Sequence, residues 1–151
     1  MKYIEAIAQH FYEVNHGNNW TDANVKDALK DVNFEMATTK INGANTIALL
    51  LFHMNFYNMV VYDRLVGIKR HFEHEESLQN EIASGEEWQQ LQQTYFDNVE
   101  RIHKAILAFD EALLFEQKTR NTPYKNLHGL IEHIHYHLGQ INILKKIMAS
   151  Q

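Results

Sequence analysis

Cysteine is absent from this 151-residue sequence. That excludes disulfide cross-links and every thiolate metal site, and any thiol chemistry would have to use a thiol from another molecule. Proline occurs once, at Pro123, and glycine six times. A chain so poor in turn residues cannot punctuate many short strands, which favours helices. Clusters of basic residues are also missing. Lys69–Arg70 and Lys145–Lys146 are only pairs, and the formal charge is −5 with histidine neutral. Binding of nucleic acid through its phosphates is thereby excluded as the main activity.

No apolar run is long enough for a membrane span. The most apolar stretch, Thr46 to Val61, reads TIALLLFHMNFYNMVV and contains His53, Asn55 and Asn58. It falls short of the roughly 20 apolar residues that a bilayer requires, so it reads as a helix buried on most sides. The opening segment MKYIEAIAQHFYEV mixes acidic and polar residues into its apolar pattern. It does not read as a signal peptide, and cytoplasm is the expected location.

What is present is ordinary globular composition, with 45% hydrophobic and 22% charged residues. The length suits one domain over 1–151 with a single core. Ile4, Ile7, Ala8, Phe11 and Val14 form one stripe, predicting a helix over 2–16 that ends in the Asn- and Gly-containing stretch 15–19. Thr21 is the expected cap of a short helix carrying Val25, Leu29 and Val32. Residues 34–43 are weakly patterned and read as a connection. Asn45 or Thr46 caps a second long helix that ends at Gly67. The charged run 69–81 reads as a solvated surface loop or frayed turns. Ser84 and Glu87 have capping-box spacing at the start of a third long helix, with Trp88, Leu91, Tyr95, Val99, Ile102 and Ile106 at helical intervals. Residues 110–122 form a connection with a helical turn near Leu113. Pro123 precedes or opens the last helix, which ends near Met148. The expected fold is all-α, a four-helix bundle with a short extra helix.

The chain contains ten histidines. His10, His16, His71, His74 and His103 sit among polar neighbours and read as solvated. In HGLIEHIHYHLGQI, His133 and His137 are one helical turn apart on the stripe of Leu130, Ile134, Ile141 and Leu144. His128, Glu132 and His135 fall on a polar stripe that points outward. The His-x-x-x-His spacing alone is weak, because chance gives about 0.6 such pairs in a chain this rich in histidine. His53, between Phe52 and Met54, adds a third inward imidazole. It reads either as a core histidine bonded to a carbonyl or to Tyr57, or as a metal ligand. Three inward histidines without thiolates suit zinc, nickel, iron or copper rather than calcium or magnesium.

The segment NTIALLLFHMNFYNMVVYDRLVG resembles the second helix of the DinB-like superfamily, in which a ligand histidine follows an apolar run. HGLIEHIHYHLGQI is similar to that family's last helix, where His-x-x-x-His precedes Gly-Gln-Ile; here these are His133, His137 and Gly139, Gln140, Ile141. The resemblance implies an up-down-down-up four-helix bundle, often dimeric, with a divalent transition metal on His53, His133 and His137. The superfamily includes bacillithiol transferases and a mycothiol-dependent maleylpyruvate isomerase, so a small-molecule thiol is the implied partner and thiol S-transfer the implied activity. Metal-dependent hydrolysis, or a non-catalytic metal-binding or stress-associated dimer, are the alternatives. Tyr57, Asn55 and Tyr95 are the expected supporting residues around the ligands. Self-association is expected because the second helix is apolar on more faces than one bundle interior covers.

Overall fold

A computed structural model of the chain describes residues 2–117 and 120–150. Positions 1 and 151 of the expected domain, and 118–119 of the expected connection, lie outside the described residues. Every regular element among the described residues is helical. Four helices are long: α1 (Tyr3–His16), α4 (Ile47–Leu65), α5 (Gly85–Ala108) and α6 (Pro123–Ala149). Two are short: α2 (Val25–Leu29) and α3 (Phe34–Thr38). Single 3-10 turns occupy His74–Leu78 and Glu111–Leu113.

Polar side chains start these helices where an unpaired backbone N–H needs an acceptor. The Thr46, Ser84 and Thr122 hydroxyls accept from the amides of Leu49, Glu87 and Lys125. Pro123 stands in the first turn of α6, where its missing N–H costs nothing. Only half of the expected capping box forms, because the Glu87 carboxylate accepts instead from the Ala83 amide at 2.7 Å. The cap of α2 is Asn24 rather than Thr21, and its side chain accepts from Asp27 at 2.9 Å. Residues 34–43 are not wholly a connection. Asn33 caps α3, which buries Ala37, and five residues are too few to show periodicity in sequence.

One cluster of buried apolar residues joins all four long helices, with Phe11, Leu51, Met54, Ile102, Ile106, Ile134 and Leu138 among its members. α4 is its centre. Ten of its nineteen residues are buried, and it packs against α3, α5, α6 and the 74–78 turn. This accounts for much of the apolar surface of α4, while Leu49, Phe52, Phe56 and Met59 stay half-buried. Trp88 pins α5 to the α2–α3 link by donating to the Val32 carbonyl at 2.8 Å. No helix among the described residues is long and apolar enough to cross a membrane.

Candidate metal centre

α4 and α6 lie against each other in the core, and that packing brings His53 to His133 and His137. The three Nε2 atoms converge. His133 Nε2 lies 3.1 Å from His53 Nε2 and 3.0 Å from His137 Nε2. His53 and His137 are buried and His133 is half-buried. This is the one group of three or more potential ligand side chains among the described residues that is close enough to hold a metal ion.

The ring orientations follow from the opposite edges. Ser77 Oγ donates to the His74 carbonyl at 2.6 Å, which commits its proton. His53 Nδ1, 2.8 Å from the same oxygen, must therefore be the donor, and His53 Nε2 carries a lone pair. His137 Nδ1 donates to Gln140 Oε1 at 2.7 Å, which leaves its Nε2 likewise unprotonated. His133 Nδ1 is buried without a hydrogen-bond partner among the described residues. A proton on His133 Nε2 can satisfy one facing lone pair at a time. A cation at the point of convergence accepts all three.

Electrostatics favours the same state. Burial, then the proximity of His137 and His74, lowers the pKa of His53 to about 4. Burial, then His137 and His53, lowers His133 to about 3. Burial also lowers His137. All three rings are neutral at pH 7 and available as ligands. The donor set is three imidazole nitrogens, which fits a borderline divalent transition metal.

The supporting residues differ from those expected. Tyr57, one turn after His53, has its ring 5.0 Å from those of both His53 and His133, and its hydroxyl lies 2.9 Å from His74 Nδ1. Asn55 accepts from Asn98 at 3.0 Å, and Tyr95 donates to Asn15 at 2.7 Å; these contacts tie helices together rather than orient the histidines. Ser77 and Gln140 do that orienting. Gln140 was legible as the third residue after His137 on one helix. Ser77 sits in the charged run 69–81, where nothing local signals a contact with His53.

The remaining histidines divide differently from the sequence reading. His71 is exposed and His10 is also at the surface. His16 and His103 are half-buried against Tyr12, and burial lowers both pKa values. His128 and His135, expected to point outward, are half-buried. His128 packs on Tyr124, and His135 donates to the Ile131 carbonyl at 3.1 Å.

A cleft of about 480 Å³ lies along the junction of α4 and α6, with Tyr57 and His133 in its wall. Comparison of the chain with protein-family models, curated proteins and solved structures gives no match.

Proposed function

We propose that this chain is a divalent-metal-dependent enzyme of the thiol S-transferase type, built on a DinB-like up-down-down-up bundle. The observation that carries the reading is the convergence of three neutral Nε2 atoms, two of them deprotonated because their Nδ1 protons are committed to Ser77 and Gln140. Oriented imidazoles of this kind are what metal sites use to fix ligand tautomers.

The bundle direction has support from contact order. Tyr3 stacks on Tyr124 and His10 faces His135, in the same order along α1 and α6. Tyr12 faces His103 and His16 faces Phe96, in opposite order along α1 and α5. Asn55 meets Asn98 and Tyr62 meets Arg101, in the same order along α4 and α5.

An enzyme is favoured over a sealed structural site because three protein ligands leave coordination positions for other molecules, and because His133 borders the cleft. When bound, a divalent cation such as zinc, nickel or iron supplies Lewis acidity that turns a small-molecule thiol, of ordinary pKa about 8.5, into a nucleophilic thiolate. The protein's part is positional. His53, His133 and His137 present neutral nitrogens, Tyr57 walls the approach with its hydroxyl tied to His74, and the cleft holds the electrophile. The thiol proton passes to solvent, the sulfur forms a bond to an electrophilic carbon and the leaving group departs with its electron pair, so no oxidant is required.

The test is conjugation of bacterial small-molecule thiols to electrophiles by protein loaded with each metal, with His137→Ala as the control. Metal-dependent turnover lost in the variant supports the reading, and no turnover with any thiol removes it. One observation favours hydrolysis as a second reading. Glu132 lines the same cleft and offers a carboxylate base that the sequence did not reveal. Metal-dependent ester cleavage without added thiol would select it. Self-association through exposed Tyr136, Ile143 and Ile147 on α6 belongs to the proposal as well; a strictly monomeric species in light scattering removes it.

A further inference from the structure

The cleft beside His133 has a second end. Arg64 lies eleven residues after His53 on α4, about 16 Å along the helix at 1.5 Å per residue. Asn126 lies seven residues before His133 on α6, about 10 Å along. Arg64 Nη1 donates to Asn126 Oδ1 at 3.1 Å, so the two helices that meet at the histidines are tied again at the far end. Arg64, Lys125 and Asn126 line the cleft there, as Tyr57 and His133 do at the near end.

Arg64 is held in place, because its guanidinium also lies 5.6 Å from the centroid of the Phe72 ring. Neither Arg64 nor Lys125 has a carboxylate within ion-pair distance among the described residues. The acidic group of the cleft is Glu132, next to His133 in sequence and therefore nearer the histidine end. Between the ends lies Gly129. A glycine inside a helix is less favourable than an alanine, yet a Cβ at this position would meet nothing within 4 Å. Packing against the protein does not require it, and its missing side chain keeps the cleft floor open.

We propose that this cleft binds an extended small molecule with an anionic group, a carboxylate or phosphate, held by Arg64 and Lys125 about 10–15 Å from the histidine triad. The opposite end of that molecule reaches the metal position. This deepens the function proposed above and rests on it for the identity of the near end. A planar, pre-positioned guanidinium suits bidentate recognition of an oxyanion, and Lys125 adds an unneutralised positive charge. The inference excludes short neutral thiols as the best substrates.

The experiment is calorimetric titration of metal-free and zinc-loaded protein with ω-mercaptoundecanoate, ω-mercaptoundecanol and mercaptoacetate. The expected result is a preference of about tenfold for the long acid over the long alcohol, in both forms of the protein. Arg64→Gln removes that preference without changing zinc stoichiometry. Mercaptoacetate, too short to reach both ends, binds the zinc-loaded protein more weakly than the long acid. Gly129→Leu weakens both long ligands while thermal unfolding shows the fold retained. Equal binding of acid and alcohol, or a preference that survives Arg64→Gln, overturns the anion site whatever zinc does. An Arg64-dependent preference with no gain from zinc supports the anion site and overturns the metal reading instead.

Discussion

Ser77 accepts a hydrogen bond from His53 across 24 positions of sequence, and in doing so decides which nitrogen of that ring faces the other two histidines. The hydroxyl can only accept because its own proton goes to the His74 carbonyl. Residues that orient a ligand imidazole typically contribute 10–100-fold to metal affinity or activity. Ser77→Ala is therefore expected to weaken zinc binding by about that factor and, because it leaves the buried His53 N–H without an acceptor, to destabilise the metal-free protein by about 1–3 kcal/mol. Competition against a chromogenic chelator measures the affinity. Unaltered affinity would mean that Ser77 does not set the ring.

Gln140 plays the same part for His137 from within α6. Gln140→Ala is expected to lower zinc affinity to a similar extent, and Gln140→Glu to restore it, since a carboxylate accepts the Nδ1 proton at least as well. If both variants bind equally weakly, the hydrogen bond is not the reason.

Metal bound only by the folded state should raise stability by mass action. At free zinc of about a thousand times the dissociation constant the gain is about 4 kcal/mol. For a chain of this size that is a rise of about 10 °C in unfolding temperature. His53→Ala and His137→Ala should each abolish the rise. A rise that persists in both variants would place the binding elsewhere.

The long helices were readable from apolar residues at helical spacing, and Thr46 and Ser84 cap α4 and α5 as expected. Thr122, which caps α6, was read only as the end of a connection, and α1 starts at Lys2 without a capping hydroxyl. His53, His133 and His137 were readable as inward positions on two such helices, and they do meet. Ser77 and His74 were not, because their role depends on the 74–78 turn folding back onto α4, and nothing in a charged run specifies that. The half-burial of His16 and His103 was hidden for a similar reason. It is produced by Tyr12, one turn before His16 on α1 and facing His103 across to α5, and by Phe96 of α5 against His16, not by the polar residues adjacent in sequence. Tyr95 was misassigned because helical spacing shows that it is buried without showing what it meets.

Tyr95 is instead a structural tie. Its hydroxyl donates to Asn15 Oδ1 at 2.7 Å, and Asn15 Nδ2 donates to the Phe11 carbonyl at 2.8 Å. Burial raises its pKa well above the ordinary phenol range, so the hydroxyl keeps its proton. Tyr95→Phe leaves the buried Asn15 oxygen without that donor, a loss of about 1–3 kcal/mol, or roughly 5 °C in unfolding temperature. Zinc affinity should not change. A loss of affinity at unchanged stability would return Tyr95 to the site.

The lowered histidine pKa values give a pH signature with a definite sign. In the unfolded chain these rings titrate near 6.5, whereas folded His53 and His133 titrate at about 4 and about 3. Between pH 6.5 and the folded values, the unfolded chain binds protons that the folded chain does not. Stability of the metal-free protein therefore rises with pH across that window and is level above it. Acidification from pH 7 to 4 should destabilise the metal-free protein, and His133→Leu should flatten the dependence. Metal binding follows the folded values, because those protons are the ones that compete with the cation. Zinc affinity should hold nearly constant from pH 8 to below 6.5 and fall only at lower pH, because burial lowers the pKa of all three ligands. Solvated histidines would lose affinity from about pH 6.5. Chelator competition at half-unit pH steps separates the two, and a tenfold loss between pH 7 and 6 would show that these rings are not shielded as their burial implies.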